Sequence, residues 1–265
     1  MIENRKEEHI RIAEGKEVNA QHNFWDDITL IHRAMPEVDY DSIKTDIDFL
    51  GNQIDYPMII SSMTGGTELA KRINENLGRA AEKFNLPMGL GSMRAAVEKK
   101  ELDHTYSVIN NFRIPVKLAN IGAPQLIPQE KMALGQNDID YLMELIDAKF
   151  LIVHFNFLQE LIQPEGDRKA SGVMKKVKEL CGSYPIIAKE TGAGFSKADI
   201  EEFCIDEFHE VINILLPQDH LFLWNELGCT YVCKLYGNPE IIYDGVCMVQ
   251  FFLFHRCPHA SQAHG

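Results

Sequence analysis

Basic residues are scarce in this 265-residue sequence: 26 Lys and Arg stand against 39 Asp and Glu, a formal net charge of -13. That balance argues against nucleic acid as the main partner and against a basic role at a membrane surface. An anionic small molecule is not excluded, because a local cluster such as Arg5-Lys6 can outvote a global balance. Long apolar runs are also missing. The longest, Val246 to Phe254, is broken by Gln250 and falls far short of the roughly 20 residues a membrane helix needs. The opening segment is charged and holds no apolar stretch of the kind a secretory leader carries. The sequence therefore predicts a cytoplasmic protein with no membrane partner.

Cysteine is nearly absent from the first 200 residues. Only Cys181 lies there, while Cys204, Cys229, Cys233, Cys247 and Cys257 crowd the remainder. A chain of this size needs no disulfide framework, so the N-terminal part reads as a reduced cytosolic protein and the tail as something different. With 45% hydrophobic and 25% charged residues the composition is that of a globular protein. The length admits one α/β barrel or two smaller domains.

Short apolar runs, most opened by proline, recur along the middle of the chain: Pro57-Met-Ile-Ile-Ser61, Pro87-Met-Gly-Leu-Gly91, Pro115-Val-Lys-Leu-Ala119, Phe150-Leu-Ile-Val153 and Pro185-Ile-Ile-Ala188. Their starts at 57, 87, 115, 150 and 185 lie 30, 28, 35 and 35 residues apart, the length of one strand-loop-helix-loop unit. The intervening segments carry helical spacing. Leu69, Ile73, Leu77, Ala80, Ala81 and Phe84 follow Thr67, a candidate N-cap. Ile139, Leu142, Leu145 and Ile146 follow Asn137, and Val173, Met174, Val177 and Leu180 mark a third helix. Strands alternating with helices imply a parallel sheet, and near-even units favour a TIM-type (β/α)8 barrel over an open doubly wound sheet, which stays as the alternative.

Residues 1–50 fall outside the rhythm and read as a capping arm, with Phe24-Trp25 and Tyr40 as packing anchors; the barrel units run over 51–197. Beyond them, residues 198–265 diverge, with Cys, His and aromatic residues in irregular order. Eight units need about 250 residues, so three barrel strands are unaccounted for. Two explanations compete for the tail: a reading-frame shift near codon 197, which is favoured, or a genuine alternative domain. Cys229, Cys233, Cys257 and His259 lack the paired spacing of a zinc module.

In a parallel barrel the residues that follow each strand form the C-terminal rim, where active sites sit. After the fourth strand come His154, Asn156, Gln159 and Glu160, a set able to orient a polar substrate, shuttle a proton and bind a divalent cation. Pro164-Glu-Gly-Asp167 adds two more carboxylates. Ser61-Ser-Met-Thr-Gly-Gly66 follows the first strand, with small residues suited to close backbone approach to a flat or anionic ligand. Gly89-Leu-Gly-Ser-Met-Arg94 ends in a fixed positive charge, Asn120-Ile-Gly-Ala-Pro124 follows the third strand, and Lys189-Glu-Thr-Gly-Ala-Gly194 puts an ammonium after the fifth. Any one of these segments can be read as a capping or packing turn; five in succession are hard to explain that way.

Taken in order, Arg5-Lys-Glu-Glu-His9, Ser62-Met-Thr-Gly-Gly66, Gly91-Ser-Met-Arg94, Asn120-Ile-Gly-Ala, His154-x-Asn-x-x-Gln-Glu160 with Gln163-Pro-Glu-Gly-Asp167, and Lys189-Glu-Thr-Gly resemble the type 2 isopentenyl-diphosphate isomerase family in an archaeal-looking form, over roughly residues 1–197. The resemblance implies a flavin-dependent barrel that interconverts isopentenyl and dimethylallyl diphosphate. It implies FMN contacts from Ser62, Met63, Thr64, Ser92, Asn120 and Lys189. Arg5, Lys6, Ser92, Met93 and Arg94 would hold the diphosphate, and Glu160 would hold Mg²⁺. Gln159 would meet the reacting carbons, with His154 and Asn156 completing the catalytic set. NADPH would reduce the flavin, and the barrels would assemble as homo-oligomers of four or eight.

Two departures stand out. Met93 occupies a position where the family commonly has glutamine, so packing is expected of its side chain. No glycine-rich loop of the kind that grips the FMN phosphate is recognisable after residue 197. The rival readings are another FMN-dependent barrel oxidoreductase, such as a hydroxyacid oxidase, and a truncated, inactive barrel fragment.

Overall fold

The computed structural model describes residues 2–15, 33–190, 210–213 and 249–251. In chain order these form α1 (Ile2–Gly15), β1 (Ile47–Phe49), β2 (Asn52–Ile54), β3 (Met58–Ile60), α2 (Glu68–Phe84), β4 (Met88–Gly89), α3 (Arg94–Glu98), α4 (His104–Ser107), β5 (Lys117–Gly122), α5 (Gln136–Ile146), β6 (Phe150–His154), α6 (Phe157–Ile162), α7 (Val173–Cys181), β7 (Ile186–Glu190), β8 (Glu210–Asn213) and β9 (Val249–Phe251).

All five expected strands form, as β3 to β7, and they pair in parallel in chain order. A doubly wound sheet reverses its order at a switch point; this one does not. The described strands are thus part of a βα barrel. β8 continues the parallel run beside β7, although no proline or regular spacing announces it in the sequence. β9 pairs antiparallel with β3 at the opposite edge. The tail residues Cys229, Cys233, Cys257 and His259 lie outside the described residues, as do Phe24 and Trp25.

Side-chain alternation along the strands divides the interior into two cores. Ile59, Val116, Leu118, Phe150, Ile152 and Ile187 form the inner cluster, joined by Phe49 and Ile54 of the β1–β2 hairpin. Ile60, Met88, Ala119, Ile121, Leu151, Val153, Ile186 and Ala188 form the outer cluster with the helices. The hairpin closes the inner cluster at the end where the strands begin: Lys149, just before β6, donates from Nζ to Asn52 Oδ1 at 2.5 Å. The hairpin straddles residue 50, the expected end of the arm. Its turn places Leu50 at φ 52° and Gly51 at φ 77°, the left-handed pair that matches strand twist.

Tyr40 does not anchor the arm. It is 86% exposed, as are much of Met35, Val38 and Ile43, and buried Phe49 supplies the packing instead. Thr67 caps α2 as expected, its side chain accepting from the Ala70 N–H at 3.1 Å. The buried face of α2 is Ala70, Asn74, Gly78 and Ala81 rather than the larger residues beside them. Small residues let this helix approach closely: a Cβ on Gly78 would lie 2.6 Å from the Phe112 ring. α5 starts before Asn137, because Gly135 is its N-cap and gives its N–H to the Asp138 carboxylate at 2.8 Å.

Candidate active site

The segments that follow β3, β4 and β6 meet the ends of β5 and β7 at one rim and are tied there by main-chain bonds. The carbonyl of Thr64 accepts the Gly91 N–H at 2.9 Å, and the carbonyl of Asn120 accepts the Met93 N–H at 2.8 Å. Asn120 Nδ2 donates to the Leu90 carbonyl at 3.0 Å. Glycine makes these approaches feasible. A Cβ on Gly91 would sit 2.7 Å from the Thr64 backbone, and one on Gly89 would sit 2.2 Å from Ser62 Oγ.

Lys189, on the last strand of this group, is 3% exposed, and its Nζ donates to the Ser62 carbonyl at 3.0 Å. His154 stands beside it in register, with Gly122 on its other side. Burial, and secondarily the Lys189 ammonium, hold the His154 imidazole well below its ordinary range. The rim therefore carries a neutral histidine beside a buried lysine.

Around this pair lie polar atoms without partners. Ser61 Oγ, Ser62 Oγ, Asn120 Oδ1 and Asn156 Oδ1 are buried, and none has a hydrogen-bond partner among the described residues. Met63 is exposed at the mouth. Asn156 uses its other amide atom, Nδ2, to donate to Glu160 Oε1 at 2.6 Å. Glu160, 8% exposed, takes the Asp167 N–H on Oε2 at 3.0 Å. Gln159 precedes it on α6 and is half-buried.

The basic groups sit at the outer side of the same rim. Arg94 is buried and paired twice, through Nε with Glu98 at 2.8 Å and through Nη1 with Asp167 at 3.2 Å. Lys131 joins Glu98 at 2.8 Å. Burial alone would raise the Glu98 carboxyl, but the Lys131 and Arg94 bonds outweigh it and hold it below the usual range. Lys6, from α1, donates to the Ser92 carbonyl at 2.8 Å and to the Tyr106 hydroxyl at 3.0 Å. The Arg5 side chain lies outside the described ones. Met93 is fully buried in the outer core and gives its N–H to the Asn120 carbonyl, so its side chain packs, as expected of methionine.

Sequence reasoning missed the residues that brace this rim. Tyr106 and Thr105 of α4 lie under the Gly65-Gly66 turn: Thr105 Oγ1 accepts the Gly66 N–H at 3.0 Å, and a Cβ on Gly65 would fall 2.1 Å from the Tyr106 ring. The glycine pair thus makes room for the protein's own tyrosine, not only for a ligand. Asn74 donates to the Thr64 and Thr105 carbonyls. It had a readable signal, being the one polar residue on the buried stripe of α2. Gln125 accepts the Gly122 N–H and donates to Ser92 Oγ, and Asp167 joins Arg94 to Glu160.

The sequence profile of the FMN-dependent dehydrogenases matches residues 2–105. An isopentenyl-diphosphate delta-isomerase from Thermoplasma volcanium is 64% identical over 198 residues, which cover 75% of this chain and 57% of that one. One from Picrophilus torridus is 62% identical over 199 residues, with coverage of 75% and 57%. Over three quarters of its length the chain is closely similar to isopentenyl-diphosphate delta-isomerases. It spans little more than half the length of these relatives. A mandelate oxidase crystal structure overlaps with a TM-score of 0.41 at 12% identity, covering 69% of this chain and 54% of that one, which is too slight to bear on function.

FMN fits the donor set of this rim. Ser62 Oγ, Asn120 Oδ1 and Asn156 Oδ1 offer a polar edge without partners among the described residues, and Lys189 adds a buried amine. A magnesium ion at this rim would find its carboxylate in Glu160. Each of its oxygens accepts one protein bond and keeps a second lone pair. That suits a metal which binds one or two carboxylates and takes its other ligands from water and phosphate.

Proposed function

We propose that this chain carries the flavin- and substrate-binding mouth of an isomerase that interconverts isopentenyl and dimethylallyl diphosphate. The observation that carries the proposal is the set of buried polar atoms at the Lys189 rim without partners among the described residues, in a chain closely similar to proteins of that name. Buried polar atoms without partners are rare in native proteins and call for a ligand or water.

In this reading Ser62, Met63, Thr64, Ser92, Asn120 and Lys189 would hold FMN. When bound and reduced, by NADPH, FMN supplies a flat, electron-rich, proton-exchanging surface beside the reacting carbons. Lys189, buried with its Nζ on the Ser62 carbonyl, would favour an anionic partner there. His154, held neutral, adds no second charge and serves as a hydrogen-bonding group. Asn156 fixes the Glu160 carboxylate, which would hold Mg²⁺ on the diphosphate, while Gln159 would face the hydrocarbon end. Arg5, Lys6 and Arg94, with Ser92, would bind the diphosphate. The bonds of Arg94 to Glu98 and Asp167 use two donors of a five-donor fork and leave others for phosphate oxygens. Remote binding energy at the diphosphate then holds the alkene against the ring. The same reading makes the protein a cytoplasmic homo-oligomer of four or eight chains.

The test uses the full chain, reconstituted with FMN, reduced without oxygen and supplied with Mg²⁺ and isopentenyl diphosphate. Dimethylallyl diphosphate should accumulate with no net consumption of reductant. Stoichiometric consumption of NADPH with a reduced product would favour the oxidoreductase alternative. A protein that retains no flavin absorbance after gel filtration would overturn both.

A further inference from the structure

Tyr106 lies at the crossing of three segments that are far apart in sequence. Its side chain is fully buried, its ring packs beneath Gly65 and Gly66, and its hydroxyl donates to the Ser92 carbonyl at 3.0 Å. The same hydroxyl accepts from Lys6 Nζ at 3.0 Å, across 100 residues of sequence, and the ammonium lies 5.4 Å from the ring centroid. Lys6 also donates to the Ser92 carbonyl at 2.8 Å, so ammonium, phenol and carbonyl close a three-membered ring of bonds. Burial pushes the phenol well above its usual range, so it keeps the proton it gives to Ser92. Gly66, at φ 82°, comes so close that a Cβ there would lie 2.8 Å from the hydroxyl and 3.4 Å from Lys6 Nζ.

We propose that Tyr106 is a positioning residue for the diphosphate end of the substrate: with the Ser92 carbonyl it holds the Lys6 ammonium, and through it α1, at the rim. The inference rests on the reading that Lys6 meets a diphosphate. A lysine on a separate N-terminal helix carries a long, flexible stem whose rotamer freedom is lost when its head is fixed. Fixing its head before the ligand arrives removes an ordering cost from binding. Its bonds to the Ser92 carbonyl and the Tyr106 hydroxyl fix where the ammonium head sits at the rim. The ring of Tyr106 has a second task, supporting the Gly65-Gly66 turn, and a phenylalanine would keep that task while losing the hydroxyl.

The experiment is a double-mutant cycle on the full chain with Tyr106→Phe, Lys6→Met and the pair, read as affinity for inorganic pyrophosphate by calorimetry and as KM and kcat for isopentenyl diphosphate. Hydrogen bonds to charged groups lead us to expect Tyr106→Phe to weaken pyrophosphate binding by about tenfold. KM should rise with kcat little changed, and flavin absorbance should stay as in the parent. Lys6→Met should weaken binding at least as much, and adding Tyr106→Phe to it should change nothing further. Equal weakening by Tyr106→Phe with or without Lys6, or none at all while Lys6→Met is impaired, would overturn the positioning role and leave the diphosphate reading standing. A Lys6→Met protein that binds pyrophosphate as well as the parent would overturn the diphosphate reading of Lys6 and this inference with it. Should Tyr106→Phe melt early, Lys6→Arg in the Tyr106 parent gives a second arm: a head that no longer fits between the Tyr106 hydroxyl and the Ser92 carbonyl should bind pyrophosphate several-fold more weakly, and parent affinity would count against the proposal.

Discussion

His154 and Glu160 show how environment decides what a side chain can do. As pH falls below about 6.5, the ordinary histidine value, the unfolded chain takes up a proton that the folded His154 refuses. The folded state then loses stability as pH drops from that value toward the depressed folded one. A His154→Asn protein lacks that group, so its melting temperature should fall less between pH 7 and pH 5 than the parent's; parallel profiles would refute the assignment. Glu160 has its two oxygens held by Asn156 and the Asp167 N–H. Glu160→Gln keeps the shape but loses the charge, and we expect turnover to lose its Mg²⁺ dependence along with most of its rate. An unchanged magnesium titration would remove Glu160 from the metal role.

The loop between α6 and α7 is a joint between a would-be metal ligand and a would-be phosphate ligand. Asp167 gives its N–H to Glu160 and its carboxylate to Arg94. Gly166 makes this possible, since a Cβ there would lie 1.8 Å from the Glu160 carbonyl oxygen and 2.6 Å from its carbon. Backbone cannot yield as a flexible side chain does, so Gly166→Ala should displace the loop, cost about 1–3 kcal/mol by overpacking, and weaken pyrophosphate binding by loosening Arg94. Wild-type melting and affinity in that variant would show the contact to be softer than drawn. Elements of this kind explain what the sequence disclosed and what it hid. The strands were legible because a proline followed by an apolar run is a local signal: expected starts at 57, 87, 115 and 185 meet strands that begin at Met58, Met88, Lys117 and Ile186. α3, α4 and α6 hold only 5, 4 and 6 residues, too few for a helical period to emerge. Rim residues were legible as types that follow strands. Their partners were not, because bonds such as Lys189 to Ser62 span 127 residues and leave no pattern in either segment.

At the scale of the whole molecule, two cores meet at the sheet, and the hairpin stoppers the inner one. Phe49 is fully buried there with Ile54 against four of the parallel strands. Truncation to Ala should cost about 3–5 kcal/mol and lower the urea midpoint accordingly; a loss under 1 kcal/mol would mean that the stopper is decorative. The sheet itself is uneven. β5 and β6 pair from Leu118↔Phe150 through Gly122↔His154, whereas β3 and β4 share the single register pair Ile60↔Met88. Amide protons flanking Ile60 and Met88 should therefore exchange with heavy water sooner than those of the β5–β6 ladder. That thin seam runs directly into the place where Ser62 abuts Gly89. Breathing there would widen the slot from one side only while β5, β6 and β7 stay zipped, giving a flat guest a way in and out without dismantling the wall it leans on.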